Sequence, residues 1–272
     1  MSDVFLVVLV RPEGAPALLN AARRLAGLVD CARINVLAVH ERSAVPPLSA
    51  EAVIDEANAF VVERSRERER VAALKAAFGR WAAEAGKLAT ISHWVEAEGS
   101  AAVVVGERGS RADMIIAGAP GEDDPLVRQT FRAALFGTDR PVLMIPPNAT
   151  ATFGRCVAIA WRDDKQTARA VIPALRCLTG AEKVHVITGM RDRVERPLMP
   201  RILTEHGIHG ELHTLPLGSG PFGEALLAKA HEVGADLLVM GAYAHSPLRE
   251  LLLGGVTRYM LAHADLPILM RH

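Results

Sequence analysis

Short, unbroken apolar runs alternate along this chain with longer stretches of helical spacing. Residues 5–10 form the first run, the pattern of a strand buried on both faces. Residues 17–29 follow, with Leu18, Ala21, Ala22, Leu25 and Leu28 along one helical stripe. Runs at 34–39, 89–95, 114–117 and 141–145 predict four more strands. Between them helices are predicted from Ser49, a suitable N-cap, to about residue 85, and over 100–109 and 126–136. The core face of the long helix reads Val53, Phe60, Val71, Leu74, Phe78, Trp81. Residues 63–70 mix charges of both signs at i,i+4 spacing, which reads as a solvated helix face rather than a binding patch.

After residues 146–154, a short Pro/Thr/Gly stretch suited to a linker, the pattern starts again. Strands are predicted at 156–161, 183–188, 211–215, 237–240 and 266–270. Helices are predicted at 166–178, 200–206 and 222–233, with another opening near 256. The restart is also literal. Residues 111–118 match 234–241 at an offset of 123, and residues 139–144 match 265–270 at an offset of 126. The second copy is therefore three residues longer between those anchors. A unit of this size is a domain rather than a solenoid repeat. The expected fold is α/β: two tandem doubly wound domains, 1–147 and 154–272, each a five-stranded parallel sheet flanked by helices.

Composition narrows the function classes. The 31 Lys+Arg balance the 31 Asp+Glu, and aromatics are 4%, so no broad nucleic-acid or membrane surface and no base-stacking platform is expected. No apolar run reaches the roughly 18 residues of a membrane span, and the N-terminus lacks a basic leader. The three widely spaced cysteines, Cys31, Cys156 and Cys177, suit reduced core thiols, and a cytoplasmic protein is the expectation.

The chemistry concentrates between residues 235 and 257. A buried strand ends at Gly241, and the pair Gly254-Gly255 opens a helix headed Val256-Thr257. Glycine after a parallel strand lets backbone approach a ligand, and a helix start offers unpaired N–H groups and a positive dipole end to an anion. With a hydroxyl at Thr257, this reads as a phosphate cradle; the alternative is a strand–loop–helix connection whose glycines serve only the turns.

With these residues placed, the chain resembles the universal stress protein family in its tandem two-domain form, of the adenine nucleotide alpha-hydrolase-like fold. The nucleotide-binding branch of that family shows strand-Gly-x-x-Gly, nine residues, then Gly-Ser/Thr, holding ATP against the loop and the last helix. Gly241 matches the first glycine and Gly254 the third, whereas Ala244 replaces the second and Gly255 the Ser/Thr. The resemblance further implies contacts from Tyr243, Val256 and Thr257, from Val186 on the adenine side, and from the turn Trp161-Arg162-Asp163, where either Arg162 or Asp163 falls at the family's acidic position. If position 244 needs positive φ, alanine costs about 1 kcal/mol, and a lost hydroxyl bond to an anion costs about 1.5–3 kcal/mol. Together these weaken binding by roughly 100-fold without abolishing it.

The corresponding first-domain positions are Phe131 and Arg132, preceded by the acidic run Glu122-Asp123-Asp124, so no nucleotide is expected there. The implied ligand is ATP or another adenine nucleotide, accompanied by Mg²⁺, and the implied role is stress-response sensing or regulation. The alternative is a non-nucleotide member acting as an interaction or small-ligand protein. No Gly-x-Ser-x-Gly, Walker lysine or Gly-x-Gly-x-x-Gly motif occurs, so dedicated catalysis is not expected, at most slow incidental hydrolysis. The family also pairs the last strands of two sheets as a dimer. Residues 142–145 and 268–270 are expected to do this within one molecule, with a further homodimer open. His206, His209 and His213 have near-helical metal spacing, but Gly207 and Gly210 interrupt them, and surface histidines at a helix-to-strand turn is the preferred reading.

Overall fold

The computed structural model describes residues 2–41, 53–121, 123–149, 152–190, 197–218, 220–242 and 255–272, without the side chains of 53–59 and 166. The first half runs β1 (Asp3–Leu9), α1 (Ala15–Leu28), β2 (Cys31–Glu41), α2 (Val53–Glu84), a 3-10 turn (Gly86–Ile91), β3 (Ser92–Gly99), α3 (Ala101–Gly109), β4 (Met114–Gly118), α4 (Pro125–Gly137) and β5 (Val142–Ile145). The second runs β6 (Cys156–Trp161), α5 (Lys165–Leu178), β7 (Lys183–Met190), α6 (Arg201–Thr204), β8 (Glu211–Pro216), α7 (Phe222–Glu232), β9 (Leu237–Gly241), α8 (Gly255–His263) and β10 (Ile268–Arg271).

All ten strands form one sheet in the order β3-β2-β1-β4-β5-β10-β9-β6-β7-β8. Each half contributes five parallel strands. The join is antiparallel, with Leu269 opposite Leu143 and Met270 opposite Val142. Alternate residues of β1 divide between two cores, as a strand buried on both faces requires. Phe5, Val7 and Leu9 pack with α1, α2 and α5 on one face, and Leu6, Val8 and Val10 with α3, α4, α7 and α8 on the other. Both cores continue across the β5–β10 join. Ion pairs reinforce it: Arg176 Nη1 lies 2.5 Å from buried Asp3 Oδ1, and Arg169 Nη2 lies 2.7 Å from Asp139 Oδ1.

The repeated Ala-Asp of the two halves has a structural role. Asp113 Oδ2 accepts from Val4 N–H at 2.9 Å, and Asp236 Oδ1 accepts from the N–H groups of Gly154 at 2.7 Å and Cys156 at 3.2 Å. Each carboxylate thus fixes where the first strand of its half begins, satisfying backbone donors that lie before the ladder.

Two expectations need correction. The third strand lies at Ser92–Gly99 rather than 89–95, because Gly86 (φ 57°) ends α2 and a 3-10 turn takes up the next residues. It is a half-exposed edge strand, so its apolar signal is weak. Phe60 is not on the core face but 37% exposed, whereas Val71, Leu74 and Trp81 are buried. At 1.5 Å per residue the 32 residues of α2 extend about 48 Å, longer than any strand beneath it, and its N-terminal turns overhang the sheet. Ser49 lies outside the described residues.

Candidate functional site

In an open parallel sheet, ligands bind outside the carboxyl ends of the strands where neighbouring connections leave in opposite directions. The strand order places two such switch points, between β1 and β4 in the first half and between β6 and β9 in the second.

At the first, the protein's own side chains hold the anion position. Asp124 is the N-cap of α4 and accepts from Leu126 and Val127 N–H at 3.1 Å each, so a carboxylate already occupies the helix start. Arg11, just beyond β1, binds that carboxylate. The Arg11 guanidinium, ahead of the capping bonds, holds the Asp124 carboxyl below its ordinary range, and Asp124 in turn raises Arg11. Beside them Arg70 of α2 donates to the Val10 carbonyl just past β1 at 2.6 Å and to the Val39 carbonyl within β2 at 2.5 Å, and pairs with Glu67 at 2.6 Å. Part of the mixed-sign run therefore closes the sheet edge rather than facing solvent, which its helical spacing alone could not reveal. Phe131 is buried in the middle of α4, away from the helix start.

At the second switch point, β6 and β9 pair in the register Ile159 to Val239, which continued by two residues sets Trp161 level with Gly241. Arg271 of β10 lies on the other side of Gly241. In the turn after β6, Arg162 and Asp163 are placed differently. Arg162 folds onto Asp164, which caps α5 by accepting from Thr167 N–H at 2.7 Å, while Asp163 is exposed. Burial pushes the Asp164 carboxyl up, but its bonds from Thr167 and Arg162 outweigh this and hold it below the ordinary range.

α8 is described from Gly255, with Gly255 exposed, Val256 partly buried and Thr257 buried in its first turn. A methyl at Gly255 would meet none of the described residues within 4 Å. Tyr243, Ala244 and Gly254 lie outside the described residues. Val186 sits in the middle of β7, wholly buried in the core under α5 rather than at the strand's end. Thr188, two residues on, is the β7 residue paired with Trp161. Six residues separate Gly118 from α4, against thirteen between Gly241 and Gly255.

Residues 180–272 match the Universal stress protein family. That stretch is a universal stress protein domain. The match begins after α5, so Trp161 and Asp163 lie outside it. No curated protein matches the chain in sequence. Among solved structures, a universal stress protein from Archaeoglobus fulgidus DSM 4304 superposes with TM-score 0.74 at 16% identity, covering 100% of this chain and 96% of that one. A putative universal stress protein from Pseudomonas aeruginosa UCBPP-PA14 gives 0.59 at 17% identity, covering 99% and 93%. The universal stress protein fold therefore extends over both halves. Among the described residues, no helix is long and apolar enough to cross a membrane.

Proposed function

We propose that this chain is a stress-response regulatory protein that binds ATP or another adenine nucleotide in its second half, without dedicated catalysis. The domains divide as 1–147 and 154–272, in the cytoplasm, and the β5–β10 ladder serves as the internal counterpart of a dimer contact. The observation that carries the reading is the contrast between the two switch points. In the first half, Arg11 and Asp124 fill the helix start with an internal ion pair. In the second, the equivalent place is framed by Asp163, Gly241 and the first turn of α8. A triphosphate would take the N–H groups at the start of α8 and the Thr257 side of that turn, with ribose near Asp163. Mg²⁺ would come bound to the phosphates and keep several waters, which an exposed carboxylate such as Asp163 suits.

The departures at Ala244 and Gly255 favour a second reading, a member that binds a partner or another small ligand. Titration calorimetry of the full chain with ATP, with and without Mg²⁺, separates the two. Saturable heat that weakens about tenfold in Asp163→Ala supports the first, at 1.4 kcal/mol per decade. Absence of heat at protein concentrations near about 0.1 mM rejects it for ATP.

A further inference from the structure

His206, His209 and His213 do not share a helix face, as the interrupting Gly207 and Gly210 imply. His206 and His209 are exposed at the turn after α6, and His206 Nδ1 lies 2.8 Å from the Ile202 carbonyl. His213 instead lies on β8, where it faces a histidine that no spacing rule pairs with it. His213 Nε2 is 3.0 Å from His185 Nδ1 on β7, the rings 5.1 Å apart and inclined at 44°. Glu211 stands beside them, its Oε2 3.6 Å from His185 Nδ1 and 3.8 Å from His213 Nε2.

We propose that His185, His213 and Glu211 form a binding site for a divalent transition-metal ion of the zinc type. Three separate features carry this. The first is geometry: the point equidistant from the three facing atoms, the circumcentre of that triangle, lies about 2.0 Å from each, which is the Zn–N and Zn–O bond length. The second is donor chemistry. Two imidazoles and one carboxylate select zinc and its neighbours over calcium or magnesium, which take oxygen ligands. The third is rigidity. His185 and Glu211 are directly opposed in the β7–β8 ladder, and Gly210 presses so closely on the Val184 carbonyl that a methyl there would lie 2.7 Å from its oxygen. β8 therefore enters at a fixed height, and donors on strands are held more precisely than donors on loops.

The local electrostatics agree. Burial, above all, lowers the pKa of His185, Glu211 raises it, and His213 and Lys183 lower it further. His185 Nε2 is buried and has no hydrogen-bond partner among the described residues, so packing and the Nδ1 side hold the ring. Without metal, one of the two facing nitrogens must carry the proton of their hydrogen bond. With metal, both present lone pairs, and that proton shifts to the other nitrogen of its own ring. No proton need be released if both rings start neutral. Glu211 is three-quarters exposed, so the outer side of the ion stays open to water or to a donor from another molecule.

The site lies at the amino ends of β7 and β8, opposite the carboxyl-end crevice, and binding here needs no nucleotide. The test uses the full chain without a polyhistidine tag, stripped of metal and titrated with Co²⁺ by visible absorption and with Zn²⁺ against a chromophoric chelator. One ion per chain is expected. His213→Ala and Glu211→Gln each weaken it by about tenfold or more, since losing even an outer-shell contact costs 10–100-fold. The double variant His206→Ala/His209→Ala leaves the affinity unchanged. Both single changes are at partly or fully exposed side chains, and circular dichroism confirms that they fold. Equal affinity in His213→Ala and the parent, loss in the His206/His209 variant instead, or no saturable binding near about 0.1 mM ion overturns the assignment.

Discussion

Arg11 Nε lies 2.5 Å from Asp124 Oδ2, and Arg11 Nη2 lies 3.0 Å from Oδ1, so a guanidinium and a carboxylate meet in two parallel bonds at the start of α4. The pair substitutes for a bound anion: the helix receives its negative charge from the chain itself, and that charge is balanced from the end of β1. Asp124→Ala should cost about 1–2 kcal/mol, chiefly through the lost cap, because the ion pair is partly exposed. Urea unfolding measures this. Arg11→Ala should cost less, and a loss larger than that of Asp124→Ala would show that the pair, not the cap, dominates.

Glu96 supplies the pH prediction. Its carboxylate accepts from Trp94 Nε1 at 2.7 Å, from Lys75 at 3.0 Å and meets His40 at 3.2 Å, tying α2 and β2 to the edge strand. These bonds, Trp94 first, then Lys75 and His40, lower its pKa to about 2. A folded value below the unfolded one means stability that is fully present above about pH 4.5 and lost as pH falls toward about 2. The side chain is over a third exposed, so the contribution is about 1 kcal/mol at most. Glu96→Gln should therefore differ from the parent at pH 7 and converge with it near pH 2. A gap that persists at pH 2 would assign the effect to shape rather than charge.

Gly255→Ser tests the cradle directly. The added Cβ meets none of the described residues, so the substitution should leave thermal stability nearly unchanged. If a phosphate sits at the head of α8, the new hydroxyl should tighten ATP about tenfold or more, the value of a hydrogen bond to a charged group. An unchanged affinity places the phosphate elsewhere.

Gly223→Ala probes the packing behind it. A methyl on Gly223 of α7 would lie 2.7 Å from Tyr259 Cβ on α8, and a β-carbon cannot swing away. The two helices must separate, at a cost of about 1–3 kcal/mol. If the head of α8 holds the phosphates as proposed, nucleotide affinity should fall together with the melting temperature.

The parts of this molecule that were legible in the sequence are those whose signal is local. β1, β4, β5 and β9 are buried on both faces and so appear as unbroken apolar runs, and the repeated Asp113 and Asp236 mark equivalent strand starts. β3 was shifted because an edge strand needs no apolar run, and Phe60 was misplaced because helical spacing carries no information about where the sheet beneath a helix ends. At the second switch point the same limit applies: the glycine-flanked connection from Gly241 to Gly255 is visible in the sequence, but the Arg162–Asp164 bond that leaves Asp163 exposed, and the register that sets Thr188 beside Trp161, are not. The His185–His213 contact joins residues 28 apart through β-pairing, which no spacing pattern could suggest.

The antiparallel ladder between β5 and β10 joins two halves that are covalently one chain. Two separate copies of one subunit must share every substitution, so a site lost in one is lost in both. Here a change touches one side alone. The first half can therefore hold a structural brace of Arg11, Asp124 and Arg70 at its switch point while remaining the neighbour against which the second half completes its sheet. Unequal histories on the two sides of a shared seam are what such a connection permits.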